Sequence, residues 1–160
     1  MKKILLLAAL AVSLVANAQV NKVSLQASGL TCSMCSNAIN KSLKTLDFVL
    51  KVDADIKTYS FEILFKPNSK VDFDLIRKKV ESAGFTVSAF YATLNFSNIP
   101  VNAGKPVVLQ DKTFLFVDTK NQILNGDKQV KIIDKGFVSA KEYKKSNYSV
   151  PSAGNYHVTL

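Results

Sequence analysis

The sequence predicts an α+β protein in which a β-α-β-β-α-β unit is followed by a small β-rich module. Three observations support this fold class. Four stretches before residue 97 alternate apolar and polar residues, and two others place apolar residues three or four positions apart. After residue 96 the chain changes to short β-like runs separated by turn residues. The chain has 160 residues, a length that suits one domain or two small ones.

The first eighteen residues have the features of a secretory signal peptide. Two lysines follow Met1, residues 4–16 are apolar apart from Ser13, and an Ala-Asn-Ala pattern ends at Ala18. The apolar run is shorter than the roughly 20 residues that a membrane-spanning helix needs. We therefore expect cleavage after Ala18 and a soluble exported protein that does not span a membrane. It would be periplasmic if the source is a double-membraned bacterium.

The formal net charge is +9, but the basic residues are spread thinly. The densest cluster is formed by Lys141, Lys144 and Lys145. No motif combines aromatic and basic residues as nucleic-acid-binding modules do, so we expect no nucleic-acid partner. A lysine-rich solvated surface explains the charge, and docking to an acidic partner or an anionic membrane surface is the alternative. The oligomeric state is not predictable from this pattern.

The first half of the chain gives a regular succession of elements. Residues 22–30 alternate apolar and polar side chains, which predicts a half-buried strand. Residues 35–46 then repeat apolar side chains at helical intervals, beginning with Cys35. Residues 48–55 and 58–66 alternate again and predict two strands joined by a hairpin connection.

A second helix and a fourth strand complete this unit. Residues 71–84 predict a helix, because Asp72 and Asp74 occupy its first turn and Gly84 is suited to its C-terminal cap. Residues 85–96 predict an unusually long strand. The resulting order is the split βαβ, ferredoxin-like arrangement. We expect a four-stranded antiparallel sheet with both helices on one face.

Residues 97–160 predict the β-rich module. A stretch rich in Pro, Gly and Asn at 97–106 predicts a linker, and short β-like runs follow it. Asn125-Gly126 is a strong hairpin signal. Ser139 is suited to cap a short helix over 139–146, and residues 155–160 predict the last strand. We therefore predict three segments, with boundaries at 1–18, 19–96 and 97–160, and the role of the third is not defined by its sequence.

The two cysteines of the chain, Cys32 and Cys35, are separated by two residues between the first strand and the first helix. The positive end of the helix dipole favours a thiolate there. Two soft sulfurs on a short loop suit Cu(I), whereas Zn(II) usually takes four ligands. No second Cys pair or His pair is present, and the single histidine, His157, is far along the chain.

Two other uses of the cysteine pair remain open at this point. A thiol–disulfide oxidoreductase uses the same spacing, although Ser33 and Met34 differ from the Pro or Gly that thioredoxin-type motifs usually contain. A structural disulfide would close a very small loop and so would stabilise little through chain entropy. No Ser-His-Asp or carboxylate arrangement predicts catalysis, so we expect a protein that is not an enzyme.

The stretch Gly29-Leu30-Thr31-Cys32-Ser33-Met34-Cys35 resembles the heavy-metal-associated domain, whose signature is Gly-Met-Thr-Cys-x-x-Cys. Leu30 replaces the Met, and Gly84-Phe85 matches a Gly-aromatic pair found before the last strand of that family. The resemblance covers roughly residues 20–92. The family includes small copper chaperones, the N-terminal metal-binding domains of copper-transporting P-type ATPases and the periplasmic mercury-binding protein.

The resemblance implies roles for individual residues and for a partner. Cys32 and Cys35 would be the metal ligands, Leu30 and Phe85 would support and shield the loop, and Gly29 and Thr31 would shape it. Met34 and His157 are further candidate ligands. Cu(I) is the favoured ion, with Hg(II), Ag(I), Cd(II) and Zn(II) as alternatives. The implied function is a copper chaperone or carrier that passes its ion by ligand exchange to or from a partner such as a metal transporter.

Overall fold

A computed structural model describes residues 20–30, 33–146, 148 and 153–160 of this chain. The predicted signal peptide, residues 1–18, lies outside the described residues, as do Thr31 and Cys32 of the cysteine loop. Within the described part, no helix is both long enough and apolar enough to cross a membrane.

The described residues form eight strands and three helices. In chain order they are β1 Val20–Ser28, α1 Ser33–Leu43, β2 Val49–Asp55, β3 Ser60–Phe65, α2 Phe73–Ser82, β4 Thr86–Val101, β5 Pro106–Leu109, β6 Lys112–Phe116, β7 Gln122–Ile132, α3 Ala140–Ser146 and β8 Asn155–Thr159. All eight strands belong to one sheet, in the order β2-β3-β1-β4-β7-β8-β6-β5.

The first four strands confirm the predicted ferredoxin-like arrangement. β1 lies between β3 and β4 and pairs antiparallel with both, and β2 pairs antiparallel with β3. The residues of β1 that alternate toward the core are Val23, Leu25 and Ala27, as the sequence pattern predicts. α1 and α2 pack side by side, and the Ser42 hydroxyl donates to the Lys79 carbonyl oxygen at 2.9 Å.

The sheet does not end at β4, which differs from the predicted four-stranded sheet. β4 runs to Val101 and pairs with β7 from Tyr91 onward, so the boundary predicted between residues 96 and 97 falls inside this strand. β6 and β8 pair in parallel, which makes the whole sheet mixed rather than antiparallel. The independent folding of residues 97–160 stays a prediction.

The hairpin predicted at Asn125-Gly126 is wrong, because both residues lie inside β7. Gly126 has a φ of +71° and faces Phe96 on β4. The register then shifts between Phe96 and Ile99, where Asn98 has a φ of +50°. One extra residue on β4 is therefore accommodated as a β-bulge, and the Asn-Gly pair permits local backbone distortion instead of a chain reversal.

The main hydrophobic core contains residues from both halves of the chain. Phe73 of α2 lies 5.3 Å, centroid to centroid, from both Phe90 of β4 and Tyr156 of β8. Phe137, which follows β7, packs edge-on against Phe90 at 5.1 Å. These buried rings join α2 and β4 to the strands that follow residue 101. A smaller cluster of Val117, Ile133 and Val138 lies apart from this core.

Candidate metal site

The cysteine loop connects the end of β1 to the start of α1. Gly29 directly follows β1 and has a φ of +88°, a backbone conformation that side chains disfavour. Leu30 is only 8% exposed and belongs to the main core. The loop therefore leaves the sheet through a glycine turn and is anchored by one buried side chain before the cysteines.

Cys35 lies in the first turn of α1, which begins at Ser33. Its side chain is half-buried and packs against the main core, whereas the preceding Met34 is 79% exposed. Consecutive helical residues point in different directions, so the Met34 sulfur and the Cys35 sulfur do not share a face. The first turn of α1 contains no acidic residue, so no carboxylate there opposes the attraction of the helix dipole for a thiolate.

Phe85 is placed beside the loop by the way α2 ends. The Gly84 N–H donates to the Glu81 carbonyl at 2.9 Å, and the Phe85 N–H donates to the Val80 carbonyl at 3.2 Å. With Gly84 at a φ of +91°, this is a Schellman motif. A Cβ atom built on Gly29 would lie 3.9 Å from Cδ1 of Phe85. The half-buried Phe85 ring therefore covers the turn that leads into the cysteine loop.

A hydroxyl pair joins the two strands at the base of the loop. Ser28 Oγ and Thr86 Oγ1 lie 2.7 Å apart, between the last residue of β1 and the first residue of β4. These two residues are also paired in the sheet. The residues flanking Gly29 and Phe85 are thus fixed by the sheet, which keeps the glycine turn and the aromatic ring in one arrangement.

Ser36 is a buried residue of this region that the sequence reasoning did not select. It is 2% exposed, and its hydroxyl has no hydrogen-bond partner among the residues that the structure describes. The apolar stripe of α1 was predicted from Cys35 onward, and a serine between its members gave no hydrophobic signal.

The structure does not bring His157 to the cysteine loop. His157 lies on β8, which is separated from β1 by β4 and β7. Its Nδ1 is 2.7 Å from Asp134 Oδ1, its backbone N–H donates to Asp134 Oδ2, and its ring stacks on Tyr148. Burial raises the pKa of the Asp134 carboxyl above its ordinary value, and the bonds from His157 partly offset this. Over the described ranges, no three His, Cys, Asp or Glu side chains are grouped as metal ligands.

Part of the first half of the chain is similar to a known protein family. Residues 24–86, which include both cysteines and Phe85, match the model of the heavy-metal-associated domain. A relative in Arabidopsis thaliana, the probable copper-transporting ATPase HMA5, is 36% identical over 69 residues. That match covers 43% of this chain and 7% of the relative, so the chain spans a small part of the relative's length.

Solved structures with similar domains are also found. The yeast copper transporter domain Ccc2a is 34% identical, covers 41% of this chain and 88% of its own, and has a TM-score of 0.37. The CopZ metallochaperone is 23% identical, covers 41% of this chain and 97% of its own, and has a TM-score of 0.38.

Proposed function

We propose that this chain, whose residues 24–86 are a heavy-metal-associated domain, is an exported carrier that holds one Cu(I) ion between Cys32 and Cys35. The observation that supports it most is that the matched region contains both cysteines at the junction of a strand and a helix. The copper-transporting ATPase among its relatives supports copper as the ion.

The donor set suits Cu(I) in particular. Two thiolates satisfy a soft, low-coordinate ion, and the dipole of α1 offsets their negative charge. Leu30 anchors the loop from the core side, and the Phe85 ring limits water access from the side of Gly29. Hg(II), Ag(I), Cd(II) and Zn(II) are the competing ions, of which Zn(II) would need ligands from a partner or from solvent.

Transfer of the ion would proceed by ligand exchange. A thiolate of the partner forms a bond to Cu(I), giving a three-coordinate intermediate, and a Cu–S bond to Cys32 or Cys35 then breaks. Ser33 and Met34 are exposed at the start of α1, so the partner can approach there. The partner is a metal-donor or metal-acceptor protein such as a copper transporter. The role of the chain is therefore carriage and not catalysis.

Export is the part of the proposal that rests on residues 1–18 alone. We expect the mature protein to begin at Gln19 and to reside in the periplasm. The test is to produce the full chain in a double-membraned bacterium and to measure the mass of the protein in the periplasmic fraction. A full-length mass, or recovery only from the cytoplasm, would contradict export.

Metal binding is tested by anaerobic titration of the reduced protein with Cu(I), in competition with a chromogenic chelator. We expect one tightly bound equivalent, lost in Cys32→Ser and in Cys35→Ser. The chain contains only these two cysteines, so no other thiol complicates the result. Met34→Leu is the matched control and should keep the full stoichiometry. Absence of Cu(I) binding by the reduced wild-type protein would refute the proposal, and rapid disulfide turnover with a dithiol substrate would favour a redox role.

A further inference from the structure

We propose that a cleft between α2 and the second half of the chain binds a small organic molecule with one carboxylate group and an apolar body. This cleft, called the α2 cleft below, is bordered by the N-terminal half of α2, the β5–β6 turn, residues 134–137 and the start of β8. It goes beyond the proposed metal binding. The cleft lies at the N-terminal half of α2, whereas Phe85, beside the cysteine loop, follows the C-terminal end of this helix.

The size and position of the α2 cleft are typical of a small-molecule site. Its volume is about 730 Å³, which lies within the roughly 300–1,000 Å³ of ligand pockets in proteins. Such pockets occur preferentially where two parts of a structure meet. Here α2, which lies among the residues that match the family model, faces connections and strands that follow residue 101. The cleft is therefore large enough for an organic molecule and not only for a single ion.

The carboxylates in the walls of the α2 cleft are already engaged by groups of the protein. Asp74 accepts a hydrogen bond from the Tyr156 hydroxyl at 3.0 Å, and it also pairs with an arginine of α2. Asp111 forms ion pairs with both Lys112 and Lys70. Of the other two carboxylates, one caps α2 and one accepts the bonds from the histidine of β8. Because each carboxylate has a partner, the cleft is not built to attract a cation.

Cationic side chains are in excess around the α2 cleft. Five cationic and four carboxylate side chains line it, which leaves one positive charge uncompensated. Lys78 and Lys135 are exposed, and neither belongs to an ion pair of the described residues. A cleft with an excess of one sign of charge concentrates ligands of the opposite sign. An excess of one charge matches a monocarboxylate better than a phosphate with two negative charges.

Lys112 strengthens the preference for an anion because its charge is buried in the cleft wall. Its side chain is only 4% exposed. Its Nζ lies 2.7 Å from Asp111 Oδ1 and 5.5 Å from the centroid of the Phe73 ring, so the described residues supply one oxygen and one ring face to its three N–H donors. Asp111 also pairs with Lys70, so two ammonium groups share one carboxylate. Water screens a buried charge little, and its attraction for an anion is correspondingly strong.

Apolar side chains define the rest of the ligand. Leu75 of α2 lines the cleft and is 41% exposed. The aromatic residues Phe48 and Phe137 line the same cleft. Covering apolar surface with the apolar body of a ligand is favourable, whereas an inorganic anion would leave this surface in contact with water. The walls therefore fit a carboxylate that carries an alkyl or aromatic group.

The test is calorimetric titration of the metal-free protein with two probes, octanoate and 3-phenylpropionate. We expect saturable binding of one equivalent. Octanamide has the same apolar body without the charge, and inorganic phosphate has charge without an apolar body. Each of these two controls should bind about tenfold more weakly than octanoate or worse, because each lacks one half of the recognition.

Surface variants locate the site without disturbing the core. The double variant Lys78→Gln, Lys135→Gln removes two exposed charges from the cleft and should weaken octanoate binding about tenfold. Leu75→Glu adds a negative charge at an exposed position of the cleft and should abolish binding. The matched control is Lys141→Gln, Lys144→Gln, which removes two exposed charges from α3 and should bind as wild type does. Thermal melts of the variants show that each is folded.

Four results would overturn the inference: no saturable binding of either probe, equal affinity for octanoate and octanamide, phosphate binding as tight as that of octanoate, or an equal loss in the two double variants. Amide chemical shifts provide a second readout, and octanoate should change them in the first turns of α2 and at the start of β8. Changes confined to other elements would place the ligand elsewhere and refute the site. Cys32→Ser should bind octanoate as wild type does, so a failed Cu(I) titration would leave this inference standing.

Discussion

Replacing Phe137 with alanine tests whether the two halves of the chain share one core. Phe137 is 3% exposed and lies after β7, outside the residues that match the heavy-metal-associated domain model. Its ring meets Phe90 edge-on at 5.1 Å and Tyr156 edge-on at 5.7 Å. The Arg77 guanidinium of α2 lies 5.5 Å from its centroid. One side chain from the second half therefore contacts β4, α2 and β8 together.

The magnitude follows from this burial. Truncating a buried Phe to Ala typically lowers the free energy of unfolding by about 3–5 kcal/mol, including the cavity that is left. That is a large part of the ~5–15 kcal/mol available to a domain of ordinary stability. For a chain of this size, ~1 kcal/mol corresponds to about 2–4 °C in the melting temperature. We therefore expect Phe137→Ala to melt roughly 10 °C below wild type.

The assay combines urea unfolding with amide hydrogen exchange. We expect a single shifted transition and faster exchange in β1 and β3 as well as in β6 and β8. Val108→Ala is the control, since Val108 is 66% exposed on β5, and it should change the free energy of unfolding little. Two transitions, with exchange in β1 and β3 unchanged, would refute the shared core and favour independent units.

Three further predictions concern single residues. Gly84→Ala should lower the free energy of unfolding by about 1 kcal/mol, because Gly84 has a φ of +91°, and an unchanged thermal melt would contradict this. Burial opposes ionisation of Asp111, but its bond to Lys112 at 2.7 Å helps hold the Asp111 pKa below its ordinary value. Ionised Asp111 therefore stabilises the fold fully above its unfolded-state pKa, and this stabilisation is lost as the pH falls through its folded-state pKa. The melting temperature of Asp111→Asn should therefore depend less on pH between pH 6 and 2 than that of wild type. Phe85→Ala should speed Cu(I) loss to a chelator several-fold in stopped-flow measurements, whereas equal rates in Phe85→Ala and the control Phe48→Ala would exclude a shielding role.

The elements up to β4 could be predicted because their signals are local. The alternation of Val23, Leu25 and Ala27 and the acidic start of α2 each identify an element without knowledge of its neighbours. Asp72 indeed caps α2, accepting the Leu75 N–H at 3.0 Å. The ferredoxin-like order of β2, β3, β1 and β4 then follows from the order of elements, since few arrangements bury all their apolar faces.

The second half could not be predicted at this level because its arrangement depends on distant residues. The parallel pairing of β6 with β8 joins Phe114 to Tyr156, which are far apart in sequence. Asn125-Gly126 has the sequence of a hairpin turn, but β7 pairs antiparallel with the long strand β4 and therefore stays extended at these residues. Ser36 was missed for a related reason, because a polar residue on an apolar helix face gives no pattern until its burial is known.

The second half also changes how the proposed metal-exchange partner could reach the cysteine loop. Considered alone, the order β2-β3-β1-β4 leaves β4 as an open edge, but β7 pairs with it from Tyr91 to Val101. The edges of the described sheet are then β2 and β5. β2 bears the exposed Lys51–Asp53 ion pair, and β5 is four residues long and begins with Pro106. Charges and proline on edges disfavour the addition of a foreign strand. We therefore expect a metal-exchange partner to contact the cysteine loop itself, where Met34 is exposed, and not to extend the sheet.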